Sequence, residues 1–177
     1  EYLKEHHASA TSFVVSQFEQ HDAILLGESH QVAENCDFVA ALIQPLYEAG
    51  VRGLASACTR SDFNDDLTKL VTDKDLDDEL AIELFRKELW RTWGCKEYLE
   101  ILRSAWLLNS KLPPDAEKFL VIGIETYWRQ YDIWFGNFGR MKLMQQNIAR
   151  EKHMTALVRE CLDKNEKVLV HIGESHT

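Results

Sequence analysis

Two copies of one tetrapeptide stand near opposite ends of the chain: Gly27-Glu28-Ser29-His30 and Gly173-Glu174-Ser175-His176. Each follows a short apolar run. Glycine frees the backbone to turn at that point, and a Glu and a His two residues apart can then face one cleft. If the two runs are neighbouring strands, Glu28, His30, Glu174 and His176 converge. Such a set can hold a divalent metal through imidazole and carboxylate. It can also do acid–base work directly, because His titrates near neutrality and burial tunes Glu upward. The plainer alternative is that each Glu and His caps the helix that follows.

The elements around these motifs alternate. Residues 2–20 form an amphipathic stretch with Phe13, Val14 and Phe18 as its apolar stripe. Apolar runs bounded by turn signals predict buried parallel strands near 22–27, 51–57, 118–124 and 166–172. Helices are expected over 32–49, with Pro45 as a kink and Gly50 as the stop, then over 75–93, 96–109 and 141–162. Ser61 or Asp62 is a candidate cap for one further helix, with Asp65 and Asp66 in its first turn. This alternation predicts an α/β fold: a central, mainly parallel sheet of at least four strands flanked by helices. Residues 75–110 would form a helical insertion or cap. In such sheets ligands bind outside the carboxyl ends of the strands. That rule points to the residues after Leu26, Ala57, Ile124 and Ile172, and so back to both tetrapeptides.

Composition narrows the classes. The chain has 177 residues, 45% apolar and 28% charged, which fits one globular domain over 1–177. Net charge is −9, with no basic cluster, so nucleic acid and anionic membranes are poor partners. No apolar run reaches the roughly 20 residues of a membrane span, and no signal peptide is visible. The compartment is left open between bacterial cytoplasm and cell envelope, as is the oligomeric state. Cys36, Cys58, Cys95 and Cys161 form no C-x-x-C pair and read as small buried hydrophobes. No phosphate-binding glycine loop and no G-x-S-x-G elbow appears, which disfavours nucleotide chemistry and a serine nucleophile of that kind.

Other candidates lie near the same sheet edge. Arg60 can clamp a substrate carboxylate or an oxyanion, or else pair with Asp62 or Asp65 on the surface. Glu125 follows the third strand at the same mouth. Arg150 and Glu151 are read as a solvated face of the long helix, with support of the site as the alternative. His171, inside the last strand, is read as a satisfied, partly buried histidine rather than a ligand. Trp90, Trp93 and Trp106 are read as core. The stretch 125–139 is aromatic-rich. Tyr127 and Tyr131 there suit a flat organic ligand and can ligate haem iron, whereas a satellite apolar cluster is the plainer expectation.

An apolar strand ending in G-E-x-H, a second G-x-x-H strand end far downstream and helices between resembles the superfamily that joins the haem-uptake protein ChaN, the Tiki and TraB proteins and the erythromycin esterases. Arg150-Glu151-Lys152-His153-Met154, leading into Lys167 to His176, is similar to the helix and strand that bring in its second His. The resemblance implies a hydrolase of esters or amides, lactones included, acting on a small molecule or peptide. Catalysis would fall to Glu28, His30, Glu174 and His176, with manganese, zinc or iron held by the same four. Arg60, Glu125, Tyr127 and Tyr131 would bind substrate. The alternative it implies is a haem- or metal-binding protein of the ChaN type, without catalysis. One departure stands out. Relatives carry a glutamate at the end of the second strand, where Ala57 is the matching position, so Glu125 or Asp62 would have to replace it. Relatives also continue past His176, so a piece of a longer protein is expected.

Overall fold

A computed structural model describes residues 9–30, 32–87, 96–126, 136–164 and 166–177, except the side chains of 136–143. Four strands, β1 (Ala23–Glu28), β2 (Gly53–Arg60), β3 (Leu120–Glu125) and β4 (Val168–Gly173), form one sheet in the order β1-β4-β2-β3. All its pairings are parallel, as expected of alternating strands and helices. Six α-helices lie among the described residues: α1 (Ala10–Gln17), α2 (Ala33–Glu48), α3 (Asn64–Thr72), α4 (Asp78–Lys87), α5 (Lys96–Lys111) and α6 (Gly136–Asp163).

Two-residue alternation along the strands feeds two apolar layers. Leu54, Val121 and Leu169 face the layer built with Leu42, Ile43 and Leu46 of α2, Leu67 and Leu70 of α3, and Leu102 and Ala105 of α5. Ala55, Ala57, Ile124, Val168, Val170 and Ile172 face α6 through Met154 and Cys161. Helix α5 is therefore part of the main core layer. Helix α6 packs on β3, β4 and β2, and Leu25 of the edge strand β1 stays half exposed beside it.

Several local expectations need correction. Phe13 is exposed, while Val14 and Phe18 of the same stripe are buried. Helix α2, by contrast, contains Pro45 and stops before Gly50 as expected, with Gly50 at φ 87°, the left-handed backbone that favours glycine. Met144 and Ile148 of α6 are exposed. The helix expected after β2 is preceded by a short 3-10 turn, Ser61–Phe63, and neither Ser61 nor Asp62 caps α3, although Asp65 and Asp66 do lie in its first turn. The strands also run one to three residues later than the apolar runs suggest. Glu28 and Gly173 are consequently strand residues paired with each other, not residues of the following turns.

The edge of β2 is held by an unusual contact. The Asn64 side chain donates to the Gly123 carbonyl (3.1 Å) and accepts from its N–H (2.7 Å). A Cβ at Gly123 would lie 2.3 Å from the Arg60 carbonyl oxygen. This close approach coincides with the register shift between Ser56 and Arg60 in the β2–β3 pairing, and only glycine allows it.

Candidate functional site

Glu28 is the hub of the site. As the last residue of β1 it points into the α5 side of the sheet and is 2% exposed. Its Oε1 accepts from the Tyr98 hydroxyl (2.8 Å) and lies 2.8 Å from His30 Nδ1. The Cys58 thiol approaches the same oxygen at 3.7 Å. Its Oε2 lies 2.7 Å from Nε2 of the fully buried His171, although the imidazole N–H axis does not point along that contact. Burial alone pushes the Glu28 carboxyl upward. His171, Tyr98 and His30 outweigh it and hold the group down at about 2. Glu28 is thus an anion at neutral pH. The same burial drives the Tyr98 hydroxyl well above its ordinary value, with Cys58 and Glu28 adding to it, so Tyr98 remains a proton donor.

An anion on one side of His30 fixes its tautomer: Nδ1 carries the proton toward Glu28, and Nε2 carries the lone pair. The His30 side chain is 41% exposed. It lies across Gly173, where a Cβ would meet His30 Cε1 at 2.7 Å and His176 Cδ2 at 3.6 Å. The two tetrapeptides therefore meet over one glycine, and their imidazoles flank it. Ser29 Oγ donates to Glu174 at 3.0 Å, which ties the two loops together.

A second polar chain runs along the α6 side. Glu125 is 4% exposed and is held in a forked ion pair by Arg150, whose Nε lies 2.8 Å from each carboxylate oxygen. Arg150 Nη1 donates to His176 Nε2 at 3.2 Å, and His176 Nδ1 meets Glu151 at 2.6 Å. Arg150 is 13% exposed, not part of a solvated face. Arg60 pairs with Asp62 and lies over the Phe63 ring. Tyr127 and Tyr131 fall outside the described residues.

The side chain of β2 that faces Glu28 is Cys58, not Ala57. Ala57 sits in the α6 layer, because alternation along a strand that continues to Arg60 turns it to the other face of the sheet. Asp62 is exposed and held by Arg60.

The donor atoms of Glu28, His30, Glu174 and His176 form no compact metal-ligating group. Among the described residues, the one such group is Glu28, Cys58 and His171, with donor atoms within 4.8 Å of one another. Oxygen, sulfur and nitrogen suit a borderline-soft divalent ion such as zinc. Ligands about 2.0–2.3 Å from a tetrahedral ion stand roughly 3.3 Å or more apart, so the Glu28–His171 contact would open by several tenths of an ångström to admit one. Haem iron would have to compete at His176 with both Arg150 and Glu151.

Sequence reasoning missed Tyr98 and Cys58 as members of the site, and weighed Arg150 and His171 but preferred a solvated face for the one and a satisfied strand histidine for the other. Tyr98 shares helical spacing with Ile101, Leu102 and Ala105 and reads as core. His171 did carry a signal, as a lone polar residue in a wholly apolar strand.

Parallel strands under two helical layers, with ionised and imidazole groups gathered at the carboxyl edge, define an α/β protein whose polar centre sits where such folds place their sites. No family model matches the chain, and no curated protein does. Solved structures do. The type III effector HopBA1 superposes with a TM-score of 0.63 at 17% identity, over 92% of this chain and 71% of that one. RRSP, a MARTX toxin effector domain from Vibrio vulnificus, gives 0.63 at 15%, over 96% of this chain and 31% of that one. ChaN of Campylobacter jejuni, described with cofacially bound haem, gives 0.53 at 17%, over 94% and 75%. At these identities the likeness is one of fold. Of the resemblance read from the motifs, the likeness to ChaN holds at that level and is shared with the effector domains, and the chain spans less than a third of the RRSP structure.

Proposed function

We propose that the chain is a His/Glu-dependent hydrolase of an ester or amide bond in a small molecule or peptide. One observation carries the reading: a buried, anionic Glu28 holds His30 by Nδ1 at 2.8 Å at the sheet edge where His176 also arrives. His30 Nε2 takes a proton from water as that water attacks the carbonyl carbon. The His30 imidazolium then returns the proton to the leaving group, and the Arg150 guanidinium, which His176 and Glu125 hold in place, supplies the positive charge for the developing oxyanion. Glu174 lies at the rim of the site, and the buried Glu125 holds Arg150 in place. A screen of ester and amide substrates, with and without chelator, tests the proposal. His30→Ala should lower turnover by about 100-fold or more, with an unchanged far-ultraviolet spectrum. Turnover that survives this substitution refutes it.

A second reading is binding without turnover, favoured by the ChaN-like fold and by the Glu28–Cys58–His171 group. Metal analysis and a haem titration test it: stoichiometric metal, or a sharp Soret band lost in His30→Ala, would support it over hydrolysis.

A further inference from the structure

Ser61 and His153, 92 residues apart, meet through Ser61 Oγ and His153 Nε2 at 2.9 Å. Neither belongs to the Glu28 hub. Ser61 opens the 3-10 turn directly after β2, at the same carboxyl edge of the sheet as the other polar groups. The turn is fixed from both sides. The Arg60 carbonyl is pressed against Gly123, and Asn64 clamps the Gly123 peptide by two hydrogen bonds. A hydroxyl on a rigid strand-to-helix turn, facing an imidazole presented by a separate helix, has the two parts an activated serine needs. Arg150, three residues before His153 on α6, adds a positive charge along that edge, held in place by Glu125. Glu125 in turn pairs in register with Arg60, the neighbour of Ser61.

We infer that Ser61 is a nucleophile activated by His153, forming a second reactive centre that accepts acyl or phosphonyl groups. In the step, Ser61 Oγ forms a bond to the electrophilic carbon or phosphorus, its proton passes to His153 Nε2, and the leaving group departs with the electron pair of the broken bond. The inference does not depend on hydrolysis at Glu28–His30, because a covalent probe reports it without any substrate of that site. The probe is a fluorophosphonate: the Ser61 oxygen–phosphorus bond forms, the phosphorus–fluorine bond breaks and fluoride leaves. Intact-mass and peptide mass spectrometry should show one adduct, at Ser61, on the folded protein and none after denaturation in urea. Ser61→Ala should abolish the adduct. His153→Gln should slow its formation by at least about 10-fold, with circular dichroism and the thermal midpoint establishing that the variant is folded. His153→Asn is the replacement variant if the glutamine protein does not fold. An adduct at another residue, no adduct on the folded wild type, or equal rates in wild type and folded His153 variants would each overturn the inference.

Discussion

Replacing Tyr98 by phenylalanine isolates the support given to Glu28. The ring is retained, with its stacked contacts to Phe85 and His171 at 6.5 and 6.4 Å, and only the hydroxyl 2.8 Å from Oε1 is lost. A hydrogen bond to a charged group is worth about 1.5–3 kcal/mol. For a chain of this length each kcal/mol moves the thermal midpoint by about 2–4 °C, so the variant should melt roughly 3–12 °C lower. The effect should also depend on pH. Glu28 falls from 4.5 to about 2 on folding, and such a shift contributes about 3 kcal/mol. Because the folded value lies below the unfolded one, that contribution is complete above about pH 4.5 and is lost as pH falls through about 2. Tyr98→Phe raises the folded value, so less is lost on acidification. The stability gap between wild type and variant should therefore narrow as pH drops. Urea unfolding followed by circular dichroism between about pH 7 and pH 3 measures the gap. A gap below about 0.5 kcal/mol, or one indifferent to pH, would refute the assignment of Glu28 as a buried anion held by Tyr98.

Two further outcomes follow from packing at the strand ends. Gly123→Ala should destabilise the fold by about 3 kcal/mol or more, because its Cβ would sit 2.3 Å from backbone that cannot retreat; a thermal midpoint within a degree or two of wild type would contradict the close approach. Ala57→Glu, which the motif comparison suggests would restore a family carboxylate, should instead bury an unpaired charge among Ile124, Val170 and Ile172. A loss of about 3 kcal/mol or more in urea unfolding, with no gain in turnover, is expected.

The sheet was legible from sequence because four apolar runs separated by turn residues admit few other arrangements. Strand ends were not. Gly27 looks like a stop and Glu28 like the first residue of a turn, until the buried Tyr98, Cys58 and His171 and the half-exposed His30 supply the hydrogen bonds and contacts that let a carboxylate end a strand inside the protein. On β2, which runs on to Arg60, alternation makes Cys58 rather than Ala57 the residue that faces Glu28. The pairing of the two tetrapeptides was legible through their repetition. Arg150 was not, since an Arg-Glu-Lys run on a helix normally faces water and only Glu125 draws it inward. Ser61 and His153 share no motif and lie in different elements, so only the fold brings them together.

The strand order has a consequence for how the molecule assembles. β4 is the last of the described strands to be synthesised, yet it lies between β1 and β2 and pairs with both. Until it inserts, β1 has no hydrogen-bonding neighbour in the sheet, and Glu28 lacks His171. Helix pairing can proceed early from nearby contacts, whereas closing β1 onto β4 joins residues 145 positions apart, a slow event by loop-closure entropy. A nascent chain short of Val168 would carry open strand edges that invite pairing with other chains. Insertion of β4 would fill the gap between β1 and β2 and bring His171 to Glu28 in the same event, so a chain whose gap is still open would lack its polar centre.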